Sequence, residues 1–259
     1  MPQPHSHMRA MHSELPHLRH WYRPDGSLER TEQILGQVLV RTFYRANGTL
    51  ERCEELCYYK HKTIITLYDE AGESEDLADG TAAVRQFYAN GGLDFENHYL
   101  SGRLRSFSDG KADIRNYYED GTIKTEYWGC SGRERTYYPD GSLERDSSFY
   151  AGSCFVTLLY RPDGSLAKET YGSDSRLFDP PNGSPAVRAF RPDGSIEYEE
   201  HYECSGSLDD PSDGSPAVRW YHDDGTIHTE GHYRHGVPLT QHQVDDCELC
   251  GFINKTDAS

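Results

Sequence analysis

The chain has 259 residues, a formal charge of −17 from 43 acidic and 26 basic residues, and an apolar share of only 35%. That share is below the roughly 45–50% of ordinary globular chains, yet 19 Tyr lift the aromatic share to 12%, which sets the chain apart from disordered sequences. The charge argues against direct binding of nucleic acid or anionic membrane surfaces and favours a basic protein partner. No run approaches the ~20 apolar residues of a membrane span.

Residues 1–19 read as a flexible tail with His5, His7, His12, His17 and scattered Pro. It has no apolar signal core, so a cytoplasmic location is expected, with the seven cysteines held as reduced thiols.

From residue 20 one unit recurs. Tyr22-Arg23-Pro24-Asp25-Gly26-Ser27-Leu28 returns as Tyr160–Leu166 and as Phe190–Ile196. Anchored on the turn glycine, nine copies fall at Gly26, Gly48, Gly72, Gly91, Gly121, Gly141, Gly164, Gly194 and Gly225. Four residues before each stands a ring: Tyr22, Tyr44, Tyr68, Phe87, Tyr117, Tyr137, Tyr160, Phe190 or Tyr221. Two residues after stands Leu or Ile in every copy but that of Gly72, which has Ser74. Pro presets φ for the first turn position, Asp bonds its own backbone and Gly accepts the positive φ that closes the turn. Each unit is therefore a β-hairpin, with period-two patterning that predicts one shared face for Ile196, Tyr198, Glu200 and Tyr202.

Four longer intervals carry a second Asp-Gly or Asn-Gly turn, at Gly80, Gly110, Gly183 and Gly214, again a hairpin signal. Hairpins are marginal alone and bury a face only by stacking. The expected fold is all-β: an elongated, twisted antiparallel meander of about nine hairpin repeats over residues 20–237, open or solenoid-like, with a thin core of Tyr rings. The loops around 173–181 and 205–212 are expected to project outward. Residues 238–259 form a C-terminal tail with Cys247-Glu248-Leu249-Cys250.

The aromatic–x–x–Asp/Asn–Gly–x–Leu unit, clearest in Tyr138–Glu144 and Tyr44–Glu51, resembles the bacterial variant of MORN (membrane occupation and recognition nexus) repeats. The resemblance covers residues 20 to about 235. It departs in having Ser or Thr where that family usually has Lys after the turn Gly, and in lacking a Gly-rich second half. It implies a hairpin meander with a binding role and no catalytic residues, as in antitoxin or immunity partners of toxins.

Chemistry-bearing patterns are sparse. Cys247 and Cys250 supply half of a zinc site, with His235 or His242 as a further ligand, but a second Cys-x-x-Cys is missing and no cofactor is expected. Cys53 and Cys57 share one strand face about 13 Å apart, too far for one ion. No nucleophile elbow, phosphate-binding Lys loop or zinc-protease motif occurs, so the chain is read as a non-enzyme. His228 and His232 are expected on the solvent face of a strand.

What remains is a protein-binding surface of the residue types that form hot spots: Trp21, Arg23, Arg45, Tyr88, Tyr118, Tyr138, Arg161, Arg191 and Trp220. The leading reading is a non-catalytic scaffold, in its specific form an antitoxin or immunity protein that neutralises a basic toxin. The alternative is a carbohydrate- or choline-binding recognition protein; further behind stand an acidic mimic of nucleic acid and an enzyme with its site in the irregular segments.

Overall fold

A computed structural model describes residues 18–105, 107, 109–151, 154–173 and 176–240. Among these every regular element is a β-strand. They form two compact units, one ending at Arg105 and including Glu119–Gly121, the other running from Phe107 to Tyr118 and from Thr122 onward.

The first unit holds β1 (Arg19–Tyr22), β2 (Leu28–Leu35), β3 (Val38–Tyr44), β4 (Leu50–Cys57), β5 (Lys62–Leu67), β6 (Val84–Phe87), β7 (Leu93–Asn97), β8 (Tyr99–Leu100) and β9 (Arg103–Leu104). The second holds β10 (Ile114–Tyr117), β11 (Ile123–Trp128), β12 (Arg133–Tyr137), β13 (Leu143–Ala151), β14 (Cys154–Tyr160), β15 (Leu166–Ser173) and β16 (Arg176–Leu177). It continues with β17 (Val187–Phe190), β18 (Ile196–Glu200), β19 (Val218–Tyr221), β20 (Ile227–Gly231), β21 (Tyr233–Arg234) and β22 (Val237–Pro238). Pairing between successive main strands is antiparallel throughout each unit. The all-β hairpin meander expected from the repeat is what the chain forms.

The nine anchor glycines sit at φ +81° to +89°, where a side chain is strained. Asp163 shows the turn: its Oδ1 accepts from the Ser165 N–H at 2.9 Å and from the Ser165 hydroxyl at 2.7 Å. The backbone closes it, with the Gly164 N–H donating to Arg161 C=O at 2.8 Å.

A register shift accompanies eight of these nine turns, all but that of Gly72. Phe190 pairs with Ile196 and Ala189 with Tyr198. Adjacent residues point to opposite faces and cross-strand partners to the same face. The bulge therefore puts Ile196 on the face opposite Tyr198, so the face predicted for Ile196, Tyr198 and Glu200 together does not exist. The extra residue of the bulge flips the alternation once.

The core also differs from expectation. The rings four residues before the glycines are half-buried or, at Tyr22, exposed, whereas full burial falls on Ala82, Ala83, Ala112, Ala186, Val187 and Ala217 beside the second turns. Small side chains let the returning backbone lie close to the sheet, which a ring would hold away. In the described part of the loops near 173–181 and 205–212, Leu177 pairs back with Gly172 and Tyr202 bridges to Leu208. The Gly72 copy, which lacks the Leu, forms only a Tyr68–Ser74 bridge while β5 pairs onward with β6.

Candidate protein-binding surface

In six of the nine repeats the residue three before the turn glycine holds the next hairpin. Arg23 donates to the Tyr44 carbonyl, Arg45 to Tyr68, Arg161 to Phe190 and Arg191 to Tyr221. Tyr118 and Tyr138 use their hydroxyls for the same purpose, donating to Tyr137 at 2.8 Å and Tyr160 at 2.9 Å. In each case the acceptor belongs to the ring four residues before the following glycine. The Arg fork also satisfies a carbonyl of its own hairpin, as Arg161 does with Leu166 at 2.9 Å.

One sheet face carries an ion ladder. In the second unit Arg188 lies between Glu169 at 3.7 Å and Glu199 at 3.4 Å, and Arg219 meets Glu230 at 2.9 Å. Arg115 meets Glu126, and Arg133 and Arg135 share Asp146. Tyr hydroxyls complete it: Tyr221 donates to Glu199 at 2.6 Å, and burial together with that carboxylate pushes its pKa up to about 12. These charges neutralise one another within the sheet.

The second turns are clamped by an Asp–His pair. Asp179 Oδ1 accepts from the N–H groups of Ala186 and Tyr202, and its Oδ2 meets His201 Nδ1. Asp76 does the same with Ala83, Tyr99 and His98, and Asp210 with Ala217, Tyr233 and His232. His232, expected on a solvent face, is therefore engaged in this clamp. In the Gly110 copy the aspartate has moved to the alanine position: Asp113 is 2% exposed and accepts from the Gly129 N–H at 2.6 Å. The clamp was legible only as a fixed spacing of Asp and His across three copies.

The outermost charges are those of the turns. Asp25, Asp140, Asp163, Asp193 and Asp224 are exposed. Hydrogen bonds from the Ser or Thr two residues on hold each carboxyl below the usual range, so these side chains stay ionised. Because successive turns are stapled base to base, Asp140, Asp163, Asp193 and Asp224 line one rim of the second unit.

The residues predicted to bind a partner are placed as follows. Arg23, Arg45, Tyr118, Tyr138, Arg161 and Arg191 are half-buried in staples. Trp21 is half-buried beneath the Arg30 guanidinium at 4.1 Å. Tyr88 lies near Lys62 and Asp94, where burial first and the carboxylate second push its pKa up to about 12. Trp220 is 42% exposed and tilts onto Tyr198 at 4.5 Å. Rings that sequence reasoning did not single out, Tyr58, Tyr59, Tyr127 and Phe149, are exposed.

Cys247, Cys250 and His242 lie outside the described residues. His235 joins Glu203 and Asp209 in a group whose ligand atoms lie within 4.8 Å of one another. The three already bond one another, His235 Nδ1 to Glu203 at 2.9 Å and the His235 N–H to Asp209 at 2.8 Å.

Two stretches, residues 131–149 and 217–235, match the family model of the MORN repeat variant. Each covers one hairpin-to-strand interval of the meander, and the two matches are consistent with a MORN-like repeat protein. Comparison with curated protein sequences gives no match.

Proposed function

We propose that this MORN-like repeat protein is a non-catalytic scaffold that holds a basic protein on its acidic turn rim, in its specific form an antitoxin or immunity protein. The observation that carries this reading is the rim of Asp140, Asp163, Asp193 and Asp224. These carboxyls are exposed and held ionised, whereas the face charges are spent on one another. An acidic rim on a chain of charge −17 steers a cationic partner and sets its salt dependence. A repeat frame of this family is generally non-catalytic, and its side chains serve the frame.

Asn47 and Asn182 make the same turn bonds as the aspartates, so Asp→Asn removes charge without removing the turn. The test is capture of partners from lysate of the source cell by the full chain and by an Asp140→Asn/Asp163→Asn/Asp193→Asn variant. A basic protein that elutes with salt and is lost from the variant supports the reading. Capture unaffected by salt and by the variant, or binding to anionic vesicles in place of a protein, overturns it.

A further inference from the structure

Six joins between consecutive repeats share one register; the Gly72 copy, where β5 pairs directly with β6, is the exception. The residue four after one turn glycine pairs with the residue five before the next: Arg30 with Phe43, Arg52 with Leu67, Thr125 with Thr136, Arg145 with Leu159, Lys168 with Ala189 and Tyr198 with Trp220. Six joins with one offset make the two sides of a hairpin complementary halves of a single interface.

Among the described residues each half occurs once without a partner: β1 pairs only with β2, and β20 only with β19. Side chains that are half-buried inside the meander are open here. Ile227 is 50% exposed and Tyr22 62%, while their counterparts Ile196 and Phe190 are half-buried. Long open edges with apolar side chains are templates for strand addition.

We propose that the β20 edge of one copy pairs with the β1 edge of a second copy, extending the repeat from chain to chain in its own register. Thr229 then lies opposite Trp21, Glu230 opposite His20 and Gly231 opposite Arg19. Charge follows the same rule as inside the sheet, where Glu169 faces Arg188 and Glu199 faces Arg219: the terminal acid Glu230 meets the basic side of β1. His222 occupies the staple position of the last hairpin, facing the Tyr22 carbonyl of the incoming copy as Arg191 faces that of Tyr221. The join is head-to-tail, with two different edges meeting rather than one patch meeting its own copy.

The register also fixes the test. The His201 N–H donates to Ala217 C=O at 2.7 Å, and pairs alternate between hydrogen-bonded and not. Tyr198–Trp220, and by analogy Thr229–Trp21, is thus a non-hydrogen-bonded pair with closely spaced Cβ atoms, the geometry a disulfide needs. Full chains carrying Trp21→Cys and Thr229→Cys, with different tags, are mixed and oxidised. The expected product is a disulfide joining positions 21 and 229 of different chains, identified by peptide mass spectrometry and absent when either chain is unsubstituted. The second measurement needs no change at a ring: sedimentation over a dilution series. Association of the unmodified chain weakens several-fold in Glu230→Lys and recovers when His20→Glu is added. A chain monomeric at every concentration, crosslinks of 21 with 21 or 229 with 229 in place of the mixed pair, or oligomers indifferent to Glu230→Lys would each overturn the proposal, the last two because another surface then does the joining.

Discussion

Asp179 and His201 stand 22 residues apart in the chain and meet with Oδ2 and Nδ1 separated by 2.5 Å. A carboxylate only accepts, so the imidazole N–H donates and its tautomer is set. The same spacing recurs in Asp76–His98 and Asp210–His232. One side chain thereby answers two backbone N–H groups and a ring at a place where alanines are fully buried.

Removing that carboxylate leaves three donors without a partner. Asp179→Ala is expected to lower stability by about 2–4 kcal/mol, since each orphaned buried donor costs roughly 1–3. Asp179→Asn keeps an acceptor for the two N–H groups and costs less. Urea unfolding of both variants checks the order. Equal losses would show that the charge on the His side, rather than backbone satisfaction, holds the clamp.

His98 gives the first unit a pH dependence of known sign. Its pKa is raised above the ordinary 6.5 by the Glu96 carboxylate first and Asp76 second, against the opposing effect of burial. A group whose folded pKa is raised stabilises fully below its unfolded value, and the gain is lost as pH rises through the folded value. The stability gap between the unmodified chain and His98→Gln should therefore be largest below pH 6.5 and shrink on the alkaline side. Thermal melts of the pair across that range measure it, and a gap that widens with pH contradicts the assignment.

The staples predict a stability loss that binding assays alone would misread. Tyr138→Phe removes one neutral hydrogen bond, worth about 0.5–1.5 kcal/mol, and Arg161→Ala a charged fork worth about 1.5–3. Arg161→Lys is expected to recover only part, since an ammonium lacks the planar fork that reaches two carbonyls. Chemical denaturation of the three variants checks the ranking. A loss of partner binding without a loss of stability would return Arg161 to the recognition surface.

Part of this was legible before any coordinates. The Asp, Gly and ring of Tyr160–Leu166 state a turn and a strand, because turn chemistry is local. Arg161 was legible as a recurring residue but not as a staple, since its acceptor lies 29 residues away. The exposed rings Tyr58 and Tyr127 carried no repeat signal that separates them from their packed neighbours. His201 and Asp179 look like ordinary polar residues until the 22-residue offset is compared between copies.

By itself the sequence determined the class of fold, the place of the nine anchor turns and the four second turns, and the acidity of the chain, all of which follow from local dihedral preference and summed charge. Only the tertiary structure decided which face each residue takes, because one extra residue at every bulge inverts the alternation. It also decided that the core is alanine under a second turn rather than a stack of Tyr rings. Where two backbones approach closely a small side chain fits and a ring does not, and that approach is written in no single stretch of the chain.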